Sequence, residues 1–188
     1  MFRHVALGAA AFLAGSIGIA SAAIVVNSGG AVSSVTNVSQ NAASSITSAV
    51  STAFADLPGA AVTVTVPTGT NSDGGPITLS RLISTTFSAE SQCNGAGTGW
   101  CSIRFVAVGA GGTVIFNPIA SPTADDFAFD TNVTGATDTD FWEAHAIQGS
   151  RRLTSGTWSI RVQRAIHATA GATNFRLDDW NFQVMVSP

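Results

Sequence analysis

The sequence predicts an all-β protein built as an antiparallel sandwich, and three observations carry that reading. Beyond Pro58 apolar and polar residues alternate in short runs. Glycine- and proline-containing breaks separate the runs, and no segment of helical spacing lies between them to cover a parallel sheet.

Val62, Val64 and Val66 alternate with threonines before Pro67 and make the first strand. Leu79 to Phe87 follows the Asn71-Ser-Asp-Gly-Gly-Pro76 turn, and Trp100 to Val108 follows a glycine-rich loop. Gly109-Ala-Gly-Gly112 turns the chain into Thr113 to Phe116, and Asn117-Pro118 and Ser121-Pro122 bend it before Phe127-Ala-Phe129. After an irregular stretch from Asp130 to Asp138, Phe141 to Ile147 forms another strand. Gly156-Thr157 opens a run with Trp158, Ile160 and Val162 on one side and Ser159, Arg161 and Gln163 on the other. The last strand sets Trp180, Phe182, Val184 and Val186 against Asn181, Gln183 and Met185. Eight strands over residues 59–188 make a jelly-roll-like, eight-stranded sandwich the expected architecture. A seven-stranded immunoglobulin-like domain is the competing one, but its disulfide joins the sheets across a long span of sequence.

The only two cysteines, Cys93 and Cys101, are eight positions apart around a glycine-rich loop. On an exported chain they are expected to form one disulfide stapling a β-hairpin, worth roughly 2.5 kcal/mol for so small a ring. A zinc site would want about four Cys or His ligands, and beside the cysteines only His145 and His167 remain after the N-terminal segment.

Export is expected from the N-terminus. Arg3 and His4 precede an apolar run from Val5 to Ile19, and Ala20-Ser-Ala22 supplies a small-residue cleavage site, so residues 1–22 read as a signal peptide. Glycines and a serine interrupt the run, which also falls short of the ~20 residues of a spanning helix. The expected location is secreted, extracellular or cell-wall associated, with no stable membrane anchor after cleavage.

Residues 23–58 differ in composition: no charged side chain occurs from Ala23 to Ala55, and Ser, Thr, Asn, Ala and Val dominate. Val35, Val38, Ala42, Ile46, Ala49, Ala53 and Leu57 recur every three or four positions, with Ser33 or Ser34 as N-cap and Pro58-Gly59 as stop. The spacing predicts an amphipathic helix; a low-complexity linker is the alternative.

The chain has a formal net charge of −3 and no lysine, which offers no basic patch for nucleic acid or anionic membranes. No nucleophile-elbow motif occurs, and His145 and His167 fall inside strands, where a surface or hydrogen-bonded structural role is expected. No catalytic residue is assigned, and the chain is not expected to be an enzyme. Asp125, Asp126 and Asp130, then Asp138 and Asp140, and finally Asp178 and Asp179 cluster in loops. Hard oxygen ligands so gathered suit calcium, but the spacing matches no EF-hand loop, so solvated charges with arginine partners are the simpler account and no cofactor is assigned. Trp158 and Trp180 sit in phase with aliphatic neighbours and belong to the core. Trp142, out of phase with Phe141, is the candidate exposed aromatic, and with Asp125, Asp126, Asp130, Asp138 and Asp140 it makes the candidate ligand site.

The run Phe87-Ser-Ala-Glu-Ser-Gln-Cys93 to Trp100-Cys-Ser-Ile-Arg104, with Asp126-Phe-Ala-Phe-Asp130, Trp142-Glu-Ala-His145 and Phe175-Arg-Leu-Asp-Asp-Trp180, resembles small secreted bacterial β-sandwich proteins of unknown function. The layout, with Leu153-Thr-Ser-Gly156-Thr-Trp-Ser-Ile-Arg-Val162 entering a strand through a glycine turn, looks like jelly-roll domains of the C1q and tumour-necrosis-factor type. The latter resemblance implies assembly as a trimer. The expectation is a non-enzymatic extracellular module, structural or binding a surface or cell-wall component. The alternative is a carbohydrate-binding module, with or without structural calcium.

Overall fold

The computed structural model describes residues 32–48, 51–95, 99–117, 128–132, 142–168 and 173–188. Among them are twelve strands and no helix: β1 (Ser34–Gln40), β2 (Ser44–Ser48), β3 (Ser51–Val66), β4 (Thr68–Thr70), β5 (Pro76–Thr78), β6 (Ser80–Gly95), β7 (Gly99–Gly109), β8 (Gly112–Ile115), β9 (Ala128–Asn132), β10 (Glu143–Thr154), β11 (Gly156–Ala168) and β12 (Thr173–Ser187). The first sheet runs β1-β12-β6-β10, with β2 continuing β1's edge along β12. The second runs β3-β11-β7-β8, with β9 also on β7. Every pairing between these strands is antiparallel.

The two sheets close on one core because most of the inward residues, at every second position of each, are apolar. Ile83, Phe87, Phe175, Leu177, Trp180, Phe182 and Val184 come from the first sheet; Val62, Val64, Ile103, Phe105, Ile160, Val162 and Ile166 come from the second. Across the gap the Phe105 and Phe182 rings stack 5.9 Å apart at 10°. Gly149 lies over this contact, and a Cβ there would sit 2.7 Å from the Phe105 ring. On one edge the sheets meet through paired backbone hydrogen bonds between Asn117 and Ser150 (2.8 and 2.9 Å).

A bulge keeps β12 in phase. Phe175 and Leu177 face inward at odd positions, yet Trp180, Phe182, Val184 and Val186 do so at even ones. The change falls at Asp178 and Asp179, where pairing with β6 skips and Asp179 takes φ 44°, a left-handed conformation that aspartate tolerates better than most residues. Its N–H donates to its neighbour's Asp178 Oδ1 at 2.9 Å. This acidic pair therefore serves turn chemistry.

Three expectations are corrected. The helix over residues 34–57 is absent: β1, β2 and the start of β3 occupy this stretch. Of the spaced apolar positions, Leu57 is buried and Val38 packs on the core, whereas Val35 is 53% exposed. These three make no common stripe, and Thr and Val suit the half-covered edge of a sheet. Pro58-Gly59 bulges β3, with Gly59 at φ 83°, instead of ending a helix. Among the described residues there are twelve strands, and each of the eight expected runs overlaps one. Lastly, Cys93 and Cys101 are bonded (S–S 2.03 Å, Cα–Cα 5.9 Å), but they lie on β6 and β7, in different sheets. The staple crosses the sandwich instead of closing a hairpin, because the chain passes from one sheet to the other between them. The proposed signal peptide lies outside the described residues.

Candidate functional site

Beside the disulfide the interior turns polar. Ser91, two residues before Cys93 on β6, is fully buried and stands opposite Glu143 on β10, while His145 stands opposite Ala89. From the second sheet, Asp130 on β9 stands opposite Cys101 and is 8% exposed. Strand alternation thus aims Ser91, His145 and Asp130 into the same end of the sandwich from three strands.

The hydrogen bonds have one consistent direction. Asp130 accepts from the Thr131 N–H through Oδ1 (2.7 Å) and from the Ser91 hydroxyl through Oδ2 (2.7 Å). Ser91 has a single proton, and it is given to the carboxylate, so its oxygen must accept from His145 Nδ1–H at 2.9 Å. Nε2 then faces Glu143 Oε2 at 3.5 Å. The buried Phe129 ring lies 5.5 Å from the imidazole and supports it. One ligand atom from each of Asp130, Glu143 and His145 lies within 4.8 Å of the other two. Nucleophilic chemistry does not fit: Ser91 is sealed from solvent and directs its proton away from the imidazole, the reverse of an activated serine.

Of the expected ligand residues, Asp130 and Trp142 are described, and they do not come together. Asp130 is interior. Trp142 is half-buried beneath the Arg176 guanidinium (4.8 Å to the ring centroid), which also donates to Gln92 Oε1 at 3.2 Å on the outer side of the first sheet. Asp125, Asp126, Asp138 and Asp140 lie outside the described residues. Trp180 is core as expected; Trp158 packs against its rim and donates to the Thr154 carbonyl at 2.9 Å. The sequence gives His145 a surface or hydrogen-bonded structural role, of which the bond to Ser91 shows the second, but does not single out Ser91 or Glu143. The available signal was phase: Ser91 shares its parity with Cys93, and Glu143 shares its own with His145.

A second feature is the outer face of the first sheet. Direct pairing aligns three rows across β1, β12, β6 and β10: Val35, Met185, Ser84, Ser150; then Asn37, Gln183, Thr86, Gln148; then Ser39, Asn181, Ser88, Ala146. None of the twelve is charged and none is buried. Arg152 stands beyond one end of the rows and Glu90 beyond the other.

No protein-family model matches this chain, and none of the curated proteins is significantly similar to it in sequence.

Proposed function

We propose that this chain is a secreted, non-enzymatic module of jelly-roll type that works as a structural unit by joining copies of itself, as a trimer, through the outer face of its first sheet. The single observation that carries the reading is the uncharged three-by-four array. Charged residues are depleted from the cores of protein interfaces because stripping their water is costly, and this array has none to strip. The strand order supports the jelly-roll reading: β6, β7, β10, β11 and β12 alternate between the sheets, and the last strand lies beside the first. The resemblance to C1q- and tumour-necrosis-factor-type domains favours three copies. An extracellular place rests on the N-terminal segment and on a disulfide that oxidising compartments sustain.

Light scattering on the chain lacking residues 1–22 tests the reading. The expected mass is that of a trimer, and Thr86→Arg, at the centre of the array, is expected to give monomers with an unchanged circular dichroism spectrum. A monomeric parent protein overturns it.

Carbohydrate binding is the second reading. The row Asn37, Gln183, Thr86, Gln148 offers amides and a hydroxyl suited to a neutral polysaccharide, whereas the contact between Trp142 and Arg176 leaves that ring a poor stacking platform. Glycan-array binding that Thr86→Arg abolishes would favour it.

A further inference from the structure

The geometry points to a divalent transition-metal site, of the zinc class, formed by His145, Glu143 and Asp130 at the stapled end of the sandwich. It is independent of the outer face. Ser91 fixes the imidazole proton on Nδ1, so in the neutral ring Nε2 presents a lone pair to the Glu143 carboxylate, and two acceptors face each other. A cation placed between them would be held by both.

The spacing leaves room for an ion: His145 Nε2 and Glu143 Oε2 stand 3.5 Å apart. Two ligands of one tetrahedral ion with bonds of ~2.1 Å lie ~3.4 Å apart. Charge balance agrees, since two carboxylates and a neutral imidazole match one divalent cation. Imidazole favours zinc and its neighbours over calcium. Ser91, bound to both Asp130 and His145, is a positioning residue that holds two ligands in register, as outer-shell partners of metal sites do. Glu143 reaches in from an exposed position (69%), so it can adjust while buried Asp130 and half-buried His145, both bonded to Ser91, stay in place. Because Asp130 belongs to the second sheet and the other two to the first, the ion would tie the sheets together beside the disulfide.

Equilibrium dialysis of the intact, disulfide-bonded protein against Zn²⁺ at neutral pH is expected to give one bound equivalent. Glu143→Gln and His145→Ala are each expected to weaken binding by at least about tenfold, and Ser91→Ala by about tenfold. Glu90→Gln, a carboxylate on the other side of the same sheet, should leave binding unchanged. Glu143→Gln is the deciding variant because so exposed a side chain is replaced without disturbing the fold, and its circular dichroism spectrum checks this. Absence of stoichiometric Zn²⁺ binding, binding that survives both Glu143→Gln and His145→Ala, or tighter binding of Ca²⁺ than of Zn²⁺ each overturns the proposal.

Discussion

The two outer faces of the sandwich make opposite use of polar residues. On the second sheet, Arg161 bonds Asp56 Oδ2 (2.8 Å) and Ser159 (3.0 Å), Gln163 donates to Asp56 Oδ1 (2.8 Å) and accepts from Arg104 Nε (2.9 Å), and Arg104 lies 3.8 Å over the Phe54 ring. Polar groups there are committed to one another within the chain. The array on the first sheet holds no charge and no such network among its described side chains. A face whose charges are internally matched is finished as a surface; a face without charges can be covered at small desolvation cost. On the proposed function, contact with another copy falls to the first sheet, and the internally bonded face of the second is left to solvent.

The largest effect should come from the core that both faces share. Phe182→Ala is expected to cost about 3–5 kcal/mol by urea denaturation, through the cavity left beside Phe105; a loss confined to association, with folding intact, would break the comparison by making the first sheet separable from the second. Removing the cross-sheet staple with Cys93→Ala and Cys101→Ala should cost about 2.5 kcal/mol, and reduction of the parent protein should give a similar drop.

Arg164 sharpens the contrast, being the cation that the second sheet turns inward. It is 4% exposed, its Nε has no partner, and one terminal nitrogen donates to the Ser44 carbonyl at 3.2 Å. Burial pushes its pKa down from the ordinary arginine value. Arg164→Leu is expected to be neutral or to stabilise by about 1 kcal/mol, as apolar replacements of buried ions often do; a loss above about 2 kcal/mol would mean the charge is needed.

Smaller effects belong to the faces. Asp56 has its carboxyl held below its usual value of 3.8, chiefly by the Gln163 hydrogen bond, against a partial opposing effect of burial, with Arg161 adding to the lowering. A carboxyl lowered in the folded state stabilises above its unfolded value and loses that contribution as pH falls through the folded one. The loss therefore lies below about pH 4. Both partners are more than a third exposed, so Asp56→Asn should cost only about 0.5 kcal/mol at neutral pH and should flatten the acid limb of a stability profile. Gln183→Ala on the array should change folding by less than about 0.5 kcal/mol. A larger cost would show that the array, too, serves the fold.

Most strand positions were legible from residue 59 onward because side-chain alternation writes burial directly into the sequence, as in Trp180, Phe182, Val184 and Val186. The N-terminal strands were not, since Val35 and Val38 lie on an edge where one position is exposed and the next only half covered, and weak amphipathicity imitates helical spacing. Among the described residues, the side-chain partner of Asp130 lies far away in sequence. It bonds Ser91, 39 positions away, and through it reaches His145, a grouping that local sequence does not display.

By itself the sequence determined the all-β class, most of the strands and which cysteines pair, all consequences of local alternation, turn chemistry and the presence of only two thiols. Tertiary structure alone decided that the disulfide crosses between sheets, that Ser91, Asp130, Glu143 and His145 meet, and that twelve uncharged side chains from four strands share one face. Each of these depends on sheet order and register, which long-range pairing fixes and no local pattern records.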